Sequence, residues 1–299
     1  MADDQMLHGD AVSPLYAEIR ARYGAAFDAA LARNVTDALA EDVGSGDVTG
    51  RLVPADAIRN ARIVVREEAI LCGVPWFAAV MRQVDRSIEM SWNYREGDRM
   101  AANSVVCTLR GPARALLTGE RNALNFLQLL SGVATTTRRY VDAIAGTRAR
   151  ILDTRKTLPG LRLAQKYAVR VGGGSNQRLA LYDGVLIKEN HIAAAGGVGA
   201  ALDAADALDA GVAVQIEVET LEQLEHALAH GAQSILLDNF SFAAMREAVT
   251  LTAGRAVLEV SGGVNFDTVR TIAETGVDRI SIGSLTKDVR ATDYSMRLL

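Results

Sequence analysis

The sequence has few of the features that mark secreted or membrane-spanning proteins. It has only two cysteines among 299 residues, Cys72 and Cys107, and they form no Cys-x-x-Cys pair. We therefore expect two buried thiols in a protein of a reducing compartment. No apolar run approaches the length of a membrane span, and residues 1–13 are polar, so we expect a loose start without a signal peptide. The predicted location is cytoplasmic.

The sequence also has no excess of positive charge. The formal net charge is −4, which argues against a basic surface for nucleic acid or an acidic membrane. The hydrophobic share of 49% and the charged share of 23% are typical of a globular protein. Any cationic site must therefore be local.

Common nucleotide and zinc motifs are also absent. The run Gly172-Gly173-Gly174 is not a G-x-G-x-x-G fingerprint, and no Walker A motif is present. His226 and His230 lie four residues apart on a predicted helix but lack the glutamate of a zinc-protease motif. The four histidines do not form zinc-ligand spacing with the cysteines, so we interpret this pair as a surface face.

The hydrophobic pattern changes along the chain. Helical periodicity over 14–40, an α+β pattern over 61–110 and a long helix over 119–145 come first. From Arg150 onward, helical segments separate six short apolar strands: 151–152, 184–187, 214–218, 234–237, 257–260 and 279–282. This alternation predicts parallel βαβ units, and six strands are too few for a complete eight-stranded barrel. An open or irregular α/β barrel is predicted, with an open sheet as the alternative.

Polar or glycine residues follow every one of these strands. In chain order they are Asp153, Arg155 and Lys156; Lys188; Glu217; Asp238; Ser261, Gly262 and Gly263; and Gly283 and Ser284. Because the carboxyl ends of parallel strands converge on one face of a barrel, we expect them to form one site. The cations directly after the first strand, Arg155 and Lys156, are the strongest single signal of an anionic substrate.

The residue types divide the chemistry of this expected site. Backbone amides at Gly262-Gly263 and Gly283-Ser284, on the last two strands, are suited to binding a phosphate. Glu217 and Asp238 can hold Mg²⁺ or ribose hydroxyls. Arginine suits carboxylates bidentately, and lysine acts as a point charge on phosphate. The combination favours an anionic, metal-bound substrate such as a sugar pyrophosphate.

Each element also has a structural interpretation. Lys188-Glu189 can be a surface ion pair of little energetic value, and Asp238-Asn239 can cap the helix after it. Taken singly, these interpretations are favoured for all but Arg155-Lys156. The recurrence at six successive strand ends favours the functional interpretation.

The motifs together resemble the quinolinate phosphoribosyltransferases, the type II phosphoribosyltransferases of NAD biosynthesis. The matching segments cover nearly the whole chain in order: 41–49, 120–125, 130–132, 153–160, 166–178, 186–191, 217–219, 237–239, 261–263 and 282–287. The resemblance implies an N-terminal α/β sandwich over 1–130, to which the tail 289–299 returns, and an incomplete α/β barrel over 131–288. It also implies a dimer, Mg²⁺, and transfer of phosphoribosyl from phosphoribosyl pyrophosphate to quinolinate with loss of CO₂.

The resemblance further implies a role for each matching residue. Arg121 reaches into the neighbouring subunit's site, and Arg155 and Arg178 hold the dicarboxylate. Lys156 and Lys188 neutralise pyrophosphate and help to hold quinolinate. Glu217 and Asp238 face the ribose hydroxyls and Mg²⁺. The 5′-phosphate group and the pyrophosphate are assigned to the remaining set: Ser261, Gly262, Gly263, Gly283, Ser284 and Lys287.

One position departs from the family pattern. Gln177 stands in the run Gly-Gly-Gly-Ser-Asn-Gln-Arg where the family commonly has a histidine that lies against quinolinate. Glutamine donates a neutral hydrogen bond but carries no charge. A paralogue for another aromatic acid therefore stays open, as do a Schiff-base lyase using Lys156 or Lys188 and a non-catalytic phosphate-binding protein.

Overall fold

The computed structural model describes residues 14–299, so the predicted loose, signal-free start at 1–13 lies outside the described residues. The strands are β1 Ile58–Val65, β2 Ala69–Ile70, β3 Glu89–Trp92, β4 Arg99–Met100, β5 Val105–Pro112, β6 Arg150–Leu152, β7 Val185–Ile187, β8 Val214–Val218, β9 Ser234–Asp238, β10 Val257–Ser261, β11 Arg279–Ser281 and β12 Tyr294–Leu298. The helices are α1 Pro14–Tyr23, α2 Ala25–Val43, α3 Val74–Val84, α4 Ala113–Ala143, α5 Arg162–Val171, α6 Glu189–Ala195, α7 Val198–Ala207, α8 Leu221–Ala229, α9 Phe242–Thr252, α10 Val269–Ala273 and α11 Ser284–Lys287. None of these helices is both long enough and apolar enough to cross a membrane.

The chain divides into two compact units. One comprises 14–138, 157–173 and 285–299 of the described residues, and the other comprises 139–156 and 174–284. The predicted division at residue 130 into sandwich and barrel domains stays a prediction.

The first unit contains an antiparallel sheet in the order β12-β1-β5-β3 and a small ladder of β2 with β4. The last strand of the chain, β12, pairs with β1, and Ile63 lies opposite Met296. Rings of α2, α3 and α5 form an apolar cluster, in which Phe27 meets Trp76 edge-on at 5.8 Å and Trp76 lies 5.5 Å from Tyr167. Edge-on ring pairs add to the free energy of burial.

Helix formation over 14–40 was predicted as one pattern, and the structure divides it into α1 and α2. Gly24 has a φ of +53°, which a helix cannot accommodate. Beyond this break, Phe27, Ala30, Val35 and Leu39 of α2 are buried at helical spacing. The helical region also extends beyond its predicted end at residue 40, because α2 continues to Val43.

The second unit contains a parallel sheet in the order β6-β11-β10-β9-β8-β7. The three central residues of β9, Ile235, Leu236 and Leu237, are buried and aliphatic, as expected for a sheet covered on both faces. Its end strands, β6 and β7, are not hydrogen-bonded to each other in the described residues. The predicted fold class, an incomplete six-stranded parallel α/β barrel beside an α/β unit, is confirmed.

Candidate active site

A cavity of about 190 Å³ lies within the second unit, where the barrel strands end. Its lining comes from all six strands or the residues directly after them, and from the segment before β7. The lining residues are Thr154, Arg155, Lys156, Gln177, Arg178, Leu186, Lys188, Glu217, Leu236, Glu259, Ser261 and Ser281. Since residues next to both end strands line the same cavity, the sheet is curled and not flat.

Two arginines supply a pair of neighbouring positive charges to this cavity. Burial lowers the pKa of the Arg178 guanidinium, and the charge of Arg155 lowers it further. The Arg178 side chain is held by a hydrogen bond of 2.9 Å from Nη1 to the carbonyl oxygen of Gly184. Two adjacent guanidinium groups repel each other, so an anion bound between them is electrostatically favoured.

Lys188 and Glu217 form an ion pair across neighbouring strands. Lys188 Nζ lies 3.4 Å from Glu217 Oε2, and the Glu217 side chain is only 13% exposed. Burial raises the pKa of Glu217, the ammonium of Lys188 opposes this shift, and the charge of Asp238 adds to it. The Lys188 backbone is fixed by its amide, which donates to His191 Nδ1 at 3.0 Å.

Lys156 leaves the end of β6 in a turn held by Thr154. The Lys156 amide donates to Thr154 Oγ1 at 3.0 Å. Gly283, directly before α11, lies beside the Lys156 stem, because a Cβ at Gly283 would be 3.0 Å from Lys156 Cδ. The structure thus brings together the ends of β6 and β11, the first and last barrel strands in the sequence. This was predicted because the carboxyl ends of parallel strands converge on one face.

A buried polar network lies at the cavity beneath these cations. Gln177 Nε2 donates to Gln215 Oε1 at 2.7 Å and to the two carboxylate oxygens of Glu259 at 3.1 and 3.2 Å. Gln215 Nε2 also donates to Glu259 at 3.0 Å. Both amide hydrogens of Gln177 thus have acceptors within the protein.

The turn after β10 contains two consecutive glycines with positive φ angles. Gly262 and Gly263 have φ values of +96° and +60°, a region that side chains disfavour. A Cβ at Gly262 would overlap Asn239 Oδ1, so this position requires glycine for space as well. Successive backbone amides in such a turn can form an anion-binding concavity.

The remaining predicted residues lie outside the cavity lining. Arg121 is exposed on α4 of the first unit, and Lys287 at the end of α11 pairs with Asp288 at 2.6 Å. Ser284 bonds to the Tyr140 hydroxyl, which lowers the otherwise raised pKa of that tyrosine. Asp238 ends β9 near Glu217. It does not cap α9, because Ser241 Oγ accepts the hydrogen bond from the Ala244 amide instead.

Two carboxylates are available to a metal ion. Glu217 and Asp238 lie at the ends of adjacent strands, and the charge of one affects the other. No group of three or more His, Cys, Asp or Glu side chains among residues 14–299 is arranged to hold a metal. This donor set fits Mg²⁺, which prefers oxygen ligands, keeps several waters and is commonly completed by substrate phosphates.

Sequence reasoning missed the polar residues inside the strands. Glu259 and Gln215 are buried, and each stands between two aliphatic residues of its strand. A charged residue in a strand that is covered on both faces is rare unless it is paired, and this was the available signal. The prediction concentrated on residues at the strand ends and therefore missed these two residues inside the strands.

Comparisons with known proteins match both parts of the chain. The model of the quinolinate phosphoribosyl transferase C-terminal domain matches residues 133–297, and that of the N-terminal domain matches residues 47–131. A nicotinate-nucleotide pyrophosphorylase (carboxylating) of Mycobacterium leprae (strain TN) is 42% identical over 279 residues, or 91% of this chain and 98% of the relative. A probable enzyme of the same name from Bacillus subtilis (strain 168) is 41% identical over 257 residues, or 86% of this chain and 89% of the relative.

Solved structures agree with these sequences. The nicotinate-nucleotide pyrophosphorylase of Francisella tularensis superposes with a TM-score of 0.88 at 44% identity, covering 90% of this chain and 96% of that chain. The NadC of Streptococcus pyogenes gives a TM-score of 0.88 at 39% identity, covering 90% of this chain and 96% of that chain.

Proposed function

The chain belongs to the quinolinate phosphoribosyl transferase family, and from this premise we propose how its cavity works. The enzyme transfers phosphoribosyl from phosphoribosyl pyrophosphate to quinolinate with decarboxylation, giving nicotinate mononucleotide, pyrophosphate and CO₂ in NAD biosynthesis. The observation that carries the residue roles is the set of four cations around one small cavity: Arg155, Lys156, Arg178 and Lys188.

The acceptor is assigned to the arginine side of the cavity. Arg155 and Arg178 are close enough that one charge lowers the pKa of the other. Planar guanidinium groups bind carboxylates bidentately, so a pyridine dicarboxylate is a suitable partner for both.

The donor is assigned to the lysines, the carboxylates and the glycine turn. Lys156 and Lys188 neutralise the pyrophosphate, with Lys287 near it, and Glu217 and Asp238 face the ribose hydroxyls. The backbone and hydroxyl groups of the last two strands hold the 5′-phosphate: Ser261, Gly262, Gly263, Gly283 and Ser284. Glu217 and Asp238 would also hold Mg²⁺, which supplies charge neutralisation to the leaving group.

The chemistry needs positioning more than a covalent protein intermediate. As the bond from ribose C1 to pyrophosphate breaks, positive charge develops on the sugar and negative charge on the leaving group. Lys156 and Lys188 stabilise the latter, while the arginines hold the pyridine nitrogen opposite. The N-ribosylated ring is electron-poor, so it stabilises the electron pair left on the ring carbon when the adjacent carboxylate leaves as CO₂. A proton from solvent then takes up this pair and replaces the carboxylate.

The active unit is proposed to be a homodimer in the cytoplasm. Arg121 would complete the acceptor site of the neighbouring subunit, a role implied by the family resemblance and supported by its exposure on α4. An exposed arginine on a helix can reach a partner without first breaking a buried contact.

A Schiff-base lyase is less well supported by the geometry. A nucleophilic lysine needs a desolvated pocket or another cation to lose its proton. Lys188 is 46% exposed and forms an ion pair with the Glu217 carboxylate, so it does not lie in a desolvated pocket. Borohydride trapping with a carbonyl substrate would expose a covalent adduct if this interpretation were correct.

An end-point assay tests the proposal directly. The purified enzyme is incubated with quinolinate, phosphoribosyl pyrophosphate and Mg²⁺, and nicotinate mononucleotide and CO₂ are measured together, with nicotinate as a parallel acceptor. We expect equal amounts of both products from quinolinate and none from nicotinate. Product from nicotinate alone, or bound phosphoribosyl pyrophosphate without turnover, would instead indicate another acceptor or a binding protein.

A further inference from the structure

Glu259 is a fully buried carboxylate in the middle of β10. Burying a carboxylate is costly unless hydrogen bonds replace the lost water. Two neutral amides donate to it: Gln177 Nε2 reaches both oxygens, and Gln215 Nε2 reaches one of them at 3.0 Å. Because an ionised carboxylate only accepts hydrogen bonds, Gln177 and Gln215 must turn their NH₂ groups toward Glu259.

This requirement fixes the orientation of the side-chain amide of Gln177. Since a carboxylate only accepts, the NH₂ end of Gln177 must face Glu259 and its oxygen must face away. The oxygen accepts the backbone amide of Arg178 at 2.7 Å. The two ends of one side chain thus connect the barrel strand β10 to the backbone at Arg178.

A second buried carboxylate holds the same segment from its other side. Asp153 Oδ1 accepts the Gln177 amide at 2.9 Å, and Asp153 Oδ2 accepts from Asn176 Nδ2 at 2.7 Å. Residues 176–178 form no helix or strand, so these side-chain bonds replace secondary structure. The carboxylates of β10 and of the β6 end together define the path of the chain into Arg178.

We propose that Glu259 and Gln177 are positioning residues that act as a pair: the buried carboxylate orients the Gln177 amide, and the amide fixes the backbone from which Arg178 reaches the acceptor. This assignment rests on the proposed function, because Arg178 is a proposed acceptor ligand. It gives Gln177 an internal task, because its side-chain NH₂ group is already bonded to Gln215 and Glu259. The pair determines acceptor affinity and leaves the phosphoribosyl donor to other residues.

The variant E259Q tests the pair while preserving side-chain size. An amide at 259 places an NH₂ group against those of Gln177 and Gln215, so the Gln177 amide loses its preferred orientation. We expect KM for quinolinate to rise about ten-fold, more than kcat falls, with KM for phosphoribosyl pyrophosphate within two-fold. The surface variant E247Q makes the same chemical change on exposed α9 and should leave both KM values at the wild-type level.

A substrate-free measurement separates this proposal from the proposed function. Amide hydrogen exchange, resolved to single residues by mass spectrometry, should become at least ten-fold faster at Arg178 in E259Q. The amide of Gln177, whose acceptor is Asp153, should stay slow in the same sample. This readout applies whether or not the protein turns over quinolinate, whereas absent turnover in the wild type would overturn only the proposed function.

A charge exchange provides the rescue. The double variant Q177E/E259Q restores one carboxylate and one amide in reversed positions, so a donor and an acceptor again face each other. We expect its KM for quinolinate to be closer to the wild type than that of either single variant. Unchanged KM and unchanged Arg178 exchange in a folded E259Q would overturn the proposal. If E259Q does not fold, Q177E supplies the same comparison.

Discussion

A Cβ atom at Gly283 would lie 3.0 Å from Cδ of Lys156. The two residues are far apart in the sequence, but β6 and β11 are neighbouring parallel strands. Lys156 lies shortly after the end of β6 and Gly283 shortly after the end of β11, at the same edge of the sheet. An alanine at 283 would therefore crowd the stem of Lys156, which would have to shift by a few tenths of an ångström. The position of its ammonium group depends on a residue that carries no side chain.

Substituting this glycine should impair Lys156 without unfolding the protein. We expect G283A to lower kcat about ten-fold, because a displaced catalytic group loses much of its effect over about 1 Å. K156A alone should lower turnover by orders of magnitude. If Gly283 acts through Lys156, then G283A should cause no further loss in a K156A background. A further ten-fold loss there would show that Gly283 acts independently, for example on phosphate.

Mixing of two inactive variants tests the shared site. R121A and R155A should each have low activity, because each loses one proposed acceptor ligand. In a mixed dimer, one of the two sites has both wild-type arginines and the other has neither. An equal mixture of the two variants should therefore recover at most about a quarter of the wild-type activity. Subunit exchange is checked with differently tagged chains. Exchange without any recovery would contradict a site that includes Arg121 of a neighbouring subunit.

Glu217 should make stability depend on pH in an unusual direction. Burial raises its folded pKa above the ordinary 4.5, despite Lys188, so the folded state holds this proton to a higher pH than the unfolded state does. Between the two pKa values the folded state binds more protons. The free energy of unfolding contributed by Glu217 therefore falls as pH rises through this window. The free energy of unfolding, measured with urea at a series of pH values, should fall less steeply with rising pH in E217Q than in the wild type, or rise more steeply. Parallel curves for the two proteins would contradict the assignment.

Glu96 should stabilise the first unit by capping α3. Its Oε1 accepts from the amides of Gly73 at 2.7 Å and Val74 at 2.9 Å, and its Oε2 accepts from the hydroxyl of buried Tyr167. Hydrogen bonds to a buried charge at a helix start are among the stronger ones, so E96Q should lower the free energy of unfolding by about 2 kcal/mol. Urea denaturation provides the measurement. E68Q, which removes an exposed ion pair to Arg99, should cost less than about 1 kcal/mol.

Both cysteines should be inert in the folded protein. Burial raises the pKa of Cys107 to about 12 and that of Cys72 well above its usual range, where the charge of Glu96 adds to the effect. The thiolate is the reactive form, so a thiol reagent at pH 8 should label neither residue until the protein unfolds. In denaturant both should react at once. Rapid labelling of the native protein would mean that one thiol is accessible.

Elements with a strong local pattern were predictable from the sequence. All six barrel strands lie where they were expected, with small differences at their ends. Helix ends were less reliable. α4 begins at Ala113, six residues before its predicted start at 119, because residues without a clear apolar period also continue the helix.

The candidate site divides in the same way. The strand-end residues Arg155, Lys156, Lys188, Glu217 and Ser261 were found from order alone, since parallel strands bring their carboxyl ends to one edge. The orientation of Gln177 was not predictable, because it depends on Gln215 and Glu259, which are distant in sequence. From the sequence, Gln177 was expected only to donate a neutral hydrogen bond where the family commonly has a histidine, and these internal partners were not anticipated.

The sequence by itself determined the class of fold, the order of the barrel strands and the accumulation of cations at their ends, because periodicity and residue type are local properties of the chain. The tertiary structure decided which groups face each other: Lys188 against Glu217, Gly283 against Lys156, and the amide of Gln177 between Glu259 and Arg178. Such pairs depend on the curvature of the sheet and on side-chain rotamers. These are set by packing over the whole unit, and no local pattern encodes them.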